Sequence, residues 1–119
     1  MKYTRIYADA NGETHLEDVE PPMKDAGNAS MMSEMMAAKG VIFRESNSEE
    51  YFIDWHNAPR RQFVVNLTGE VEITVSDGEK RHFGPGSILL AEDVSGKGHI
   101  SRGVGKSERR TLFVPLADK

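Results

Sequence analysis

The chain has 119 residues, no cysteine, and fifteen Lys and Arg against nineteen Asp and Glu, a formal charge of −4. That length supports one hydrophobic core, the acidic balance argues against a nucleic-acid partner, and the missing cysteines remove disulfides, thiolate metal sites and cysteine nucleophiles. No apolar run is long enough to cross a membrane, and the opening stretch MKYTRIYADANGE turns polar too soon for a secretory signal, so the expected setting is cytoplasmic.

In chain order, Tyr3–Ala8 reads as a strand. The stretch from Asn11 to Ser30 is rich in Glu, Asp, Pro, Gly and Asn, and Pro21-Pro22 forbids regular helix, so an irregular arm is expected. Met31 to Gly40, MMSEMMAAKG, consists of good helix formers, with Gly40 placed to close a helical turn. A short helix lying on the core is expected there, its methionines acting as a flexible apolar plug. Residues 1–39 therefore read as an N-terminal arm with a short helical segment, packing on the main body or on a partner subunit. Residues 40–119 read as that main body, within one structural domain.

From Val41 onward the chain reads as strands. Val41-Ile42-Phe43, Tyr51–Trp55, Gln62–Leu67, Val71–Val75, Ile88–Ala91 and Thr111–Leu116 are β-branched or aromatic runs separated by turn signals. Alternation is clearest in EVEITVS, which places Val71, Ile73 and Val75 on one face. Asp77-Gly78 follows at once and marks a tight hairpin, because such a turn needs positive φ. Short strands at such close intervals point to an antiparallel sandwich or barrel. The fold class is all-β, with at most one short helix.

Four histidines are candidates for chemistry. His15, in the polar arm, and His82, in the charged hairpin EKRHF, read as surface residues. His56 and His99 each stand where a strand meets a loop. His56 and Gln62 are six apart and would share a face of a regular strand, although Pro59 between them forbids a ladder hydrogen bond. On the Gln62 strand, Val64 and Asn66 share its face, which makes Asn66 an amide in need of partners.

The segment His56-Asn57-Ala58, then Pro59-Arg60-Arg61, Gln62, then FVVNLT and Gly69, resembles the first motif of the cupin superfamily: histidine, any residue, histidine, three or four residues, glutamate, six residues, glycine. The histidine at the start and the glycine at the end keep their identity, while Ala58 replaces the second histidine and Gln62 the glutamate. The second motif runs from Gly86 to His99 with a loop about two residues longer than usual, and Gly103 stands where it ends in asparagine. The resemblance covers residues 40 to 116 and implies a single jelly-roll (cupin) β-barrel.

In cupins the motif histidines and glutamate surround a metal. Carried over by residue, that leaves His56, Gln62 and His99 as metal ligands, for one divalent transition metal such as Zn, Ni, Mn or Fe. The usual carboxylate is lost; Asp93 or Glu92 in the long loop are the substitutes at hand. The resemblance also implies catalytic roles for His99 and His56 with Gln62 at the same site, and Gln62, Arg60 and Asp93 are the candidates for binding substrate, Asp93 because it lies in a glycine-bounded loop. Arg60 or Arg61 is suited to hold an anionic group. Trp55, adjacent to His56 on the strand, is expected to face outward or toward a partner. The implied activity is isomerase, lyase or cyclase chemistry on a small polar or anionic substrate, metal-assisted or not, with dioxygenase chemistry disfavoured by the missing carboxylate. The alternatives are a non-catalytic small-ligand-binding module and an interaction protein with a vestigial pocket. The expected partners are a small-molecule ligand and a second copy in a homodimer, with neither nucleic acid nor membrane.

Overall fold

The computed structural model describes residues 1–117. Twelve strands form among them: β1 (Tyr3–Ala8), β2 (Thr14–Val19), β3 (Lys24–Gly27), β4 (Ser30–Met32), β5 (Ile42–Asn47), β6 (Phe52–His56), β7 (Gln62–Thr68), β8 (Glu70–Val75), β9 (Lys80–Phe83), β10 (Ile88–Ala91), β11 (His99–Val104) and β12 (Glu108–Pro115). They make a six-stranded sheet in the order β2-β1-β10-β7-β12-β5, a four-stranded sheet β6-β11-β8-β9, and a separate β3–β4 hairpin. The fold is all-β. The strands pair as separate sheets rather than as one closed barrel.

The two larger sheets meet through a core to which both contribute. Ile6 and Leu89 come from the larger sheet, while Val71, Ile73, Val75 and Phe83 come from the smaller. The alternation of β8 explains its share, since Val71, Ile73 and Val75 project inward and each stabilises by about 1.5–3 kcal/mol on burial. Asp77-Gly78 closes the β8–β9 hairpin as expected, with Gly78 at φ 99°.

Two expectations for residues 1–39 are corrected. Tyr3–Ala8 is the strand expected, β1, parallel to β10; the stretch from Asn11 to Ser30, expected to be irregular, instead contains β2, which pairs with β1 in the main sheet, and β3, which pairs with β4. No helix forms over Met31–Gly40. Ser30–Met32 is instead the second strand of the β3–β4 hairpin, and the segment touches the body through a bridge between Ala38 and Leu116. The physical reason is exposure. Met31, Met32, Met35 and Met36 all remain in solvent, so no apolar stripe is buried to offset the cost of nucleating a short helix. Among the described residues no helix is long and apolar enough to cross a membrane.

Candidate functional site

A cavity of about 200 Å³ opens between the two sheets. Its apolar wall includes Ile6, Val64, Ile73 and Leu89, and its polar lining comprises His56, Gln62, His99, Ser101, Tyr51, Arg44 and Arg109. His56, Gln62 and His99, expected together from motif spacing, all line it. Strand parity is not the reason for His56 and Gln62. His56 ends β6 in the smaller sheet and Gln62 begins β7 in the larger, so residues 57–61 cross between sheets and bring both to one cavity from opposite sides.

His56 and His99 stand opposite each other on β6 and β11, with ring centroids 4.3 Å apart. Gly98 permits this approach. It sits at φ +78°, a conformation side chains disfavour, and any Cβ there would collide with the backbone carbonyl of His56. The loop before it is fastened from the N-terminal arm: Thr14 Oγ1, fully buried, donates to Gly98 O at 2.7 Å, and the Lys97 amide donates to Gly12 O at 2.9 Å.

The imidazole tautomers follow from their partners. His99 Nδ1 meets Asp93 Oδ2 at 2.5 Å, and His56 Nδ1 meets the Asp54 carbonyl oxygen at 2.7 Å. Both partners accept, so each ring donates from Nδ1. Asp93 does not line the cavity. It is fully buried behind His99, and its other oxygen, Oδ1, has no hydrogen-bond partner. Burial is the main influence holding His56 below the ordinary histidine range, and the nearby His99 adds to it.

Arg60 is exposed and does not line the cavity; its guanidinium donates to Gln62 Oε1 at 2.9 Å from outside. Glu92 faces away from the site, where it accepts from Arg5 at 2.9 Å and Arg61 at 2.8 Å. Trp55 is half exposed, as its place beside His56 suggests. His15 bridges Asp9 and Asp77, and His82 bridges Glu70 and Glu72, both at the surface.

Two arginines that motif spacing does not mark do reach the cavity. On β12, Arg109, Thr111 and Pro115 are buried in alternation, so Arg109 projects inward and is only 4% exposed. Its Nε donates to Asn66 Oδ1 at 2.9 Å, which gives the buried Asn66 amide one of its partners; Asn66 Nδ2 donates to Gly69 O at 2.7 Å. Gly69, at φ +75°, is pressed on the Arg109 backbone, where a Cβ would come within 2.8 Å of the Arg109 Cα. Arg44 lies with its guanidinium carbon 4.7 Å from the centroid of the Tyr51 ring, and that of Arg109 is 5.7 Å from the same ring. Alternation along ERRTLFVP is the signal that could have found Arg109.

The donors fit a divalent metal poorly. Among the described residues no group of three or more His, Asp or Glu side chains converges. His99 and His56 supply neutral nitrogens, the Gln62 oxygen already accepts from a guanidinium, and two more guanidinium groups line the same space. A divalent cation there would gain no carboxylate and would face like charge.

No protein-family model matches the chain. No curated protein matches it in sequence.

Proposed function

We propose that the chain is a small-molecule enzyme of the cupin type, moving a proton on a small polar or anionic substrate as an isomerase, lyase or cyclase does. The observation that carries this reading is the Asp93–His99 pair, a fully buried carboxylate bonded to an imidazole that lines a cavity. In that arrangement Nε2 of His99 takes a proton from the substrate, and Asp93 stabilises the imidazolium that forms. His56, whose pKa burial lowers, offers a second ring to receive or return it. The strand order also supports a jelly-roll of cupin type. Counting β5 to β12 as its eight strands, the first, eighth, third and sixth lie side by side in one sheet, and the second, seventh, fourth and fifth in the other.

The expected second copy has a surface to fit. β5 and β6 are edge strands of the two sheets, and around them Val41, Phe43, Phe52 and Trp55 are each at least half exposed. Burying them against the same strands of another copy removes both apolar surface and open sheet edges from water.

The activity is tested by incubating the protein in D2O with a panel of small carbonyl compounds and following carbon-bound protons by NMR. Exchange by the native chain and its loss in His99→Asn, which keeps a donor for Asp93, is the expected result. Exchange undiminished in His99→Asn overturns the assignment of the base. Compounds that bind without any exchange favour the non-catalytic binding module instead.

A further inference from the structure

The charge inventory of the cavity is unbalanced. Arg109 is 4% exposed and makes no ion pair among the described residues; its side-chain hydrogen bonds go to the neutral amide of Asn66 and to Tyr51. Arg44, also without an ion pair there, sits over the Tyr51 ring and 5.1 Å from the centroid of the Phe113 ring. Burial lowers the Arg109 pKa from the ordinary arginine value and Arg44 adds repulsion, but a guanidinium keeps its proton in proteins. Two cations thus line an apolar-walled space, and no carboxylate among the described residues neutralises either.

An uncompensated buried charge is costly, and chains that carry one ordinarily supply a counterion. The planar guanidinium fork matches a carboxylate through two parallel hydrogen bonds, and stacking on an aromatic face holds the second guanidinium in place. The cavity volume of about 200 Å³ equals the liquid volume of only about seven waters. Resting on the reading of this cavity as the substrate site, we propose that Arg109 and Arg44 anchor the carboxylate of a small organic acid whose reacting end is presented to His99 and His56. The arginines bind and orient; the imidazoles move the proton.

The division of labour makes the test separable from that of the activity. Acetate, pyruvate and succinate are titrated into the protein by NMR and calorimetry, with acetamide as the uncharged isostere and inorganic phosphate as a competing oxyanion. At least one carboxylate is expected to bind and to shift the Arg109 Nε–H resonance, and acetamide is not. Arg44→Met, which breaks no hydrogen bond, is expected to weaken that binding at least tenfold, and Arg109→Lys to weaken it further. His99→Asn is expected to leave it within about threefold. Should Arg109→Lys fail to fold, Arg44→Met alone decides. The proposal is overturned if no carboxylate binds, if acetamide binds as well, if phosphate binds more tightly, or if Arg44→Met binds as the native chain does. Carboxylate binding with no proton exchange on any compound overturns the enzyme reading, the role of the imidazoles included, and leaves the anchoring of the carboxylate by Arg109 and Arg44 standing.

Discussion

In His99→Ala the Asp93 carboxylate, fully buried and bonded to His99 Nδ1 at 2.5 Å, loses its side-chain partner while staying in the interior. Removing one member of a buried pair in this way costs about 3–5 kcal/mol, mostly the penalty of the stranded charge. Asp93→Asn keeps the shape but not the charge. The bond to His99 falls from a charge-assisted to a neutral one, a loss of about 1 kcal/mol, and an amide nitrogen in the place of the unpartnered Oδ1 adds about 1–3 kcal/mol for an unsatisfied donor. The double variant strands no charge, so its loss should be close to that of the worse single variant rather than to the total of both. The expected coupling is about 2–4 kcal/mol, at or above the upper end of what contacting residues show. Urea denaturation of the four proteins at neutral pH measures it. Losses that add to within about 0.5 kcal/mol would refute the reasoning, because independent sites behave that way.

His56 gives a pH dependence of definite sign. Its pKa lies below the ordinary 6.5 in the folded chain, mainly through burial, so in the interval between the two values the unfolded chain binds a proton that the folded one refuses. The stability it contributes is complete above 6.5 and declines as acid carries the pH down toward the folded pKa. A series of urea midpoints should show a gentler acid slope in His56→Gln, and equal slopes would contradict the assignment. Separately, sedimentation at micromolar concentration should find a dimer that Phe43→Glu converts to a monomer; a native chain that sediments as a monomer rejects the edge-strand interface.

The strands were legible wherever apolar residues alternate or run between turn signals. Ile88–Ala91 forms as read, and the Val71, Ile73 and Val75 face is the one that packs. Helix propensity over MMSEMMAAKG misleads because it is a local preference, and none of the described residues covers the methionines once they are placed. The same distinction separates Arg60 from Arg109. Each stands beside a second arginine, but Arg60 lies in a crossover whose direction only the finished sheets set, whereas Arg109 lies on β12 between the exposed Glu108 and Arg110, and that alternation points it inward. Asp93 was visible as a loop carboxylate near His99. Its position behind the ring depends on Gly98 and on Thr14, a contact no local pattern announces.

The fastening of the loop by Thr14 joins residues 84 positions apart, and β1 pairs in parallel with a strand of nearly equal separation. Such contacts close large loops and form slowly, after the shorter hairpins have condensed. β1 precedes β10 and the Gly96–Gly98 loop in the chain, so Ile6 and Thr14 are expected to find their places only once those have formed. The facing of His56 and His99 is therefore expected to become native late, when both ends of the sheet have met. A refolding experiment should register the β8–β9 hairpin before it registers the 4.3 Å approach of His56 and His99.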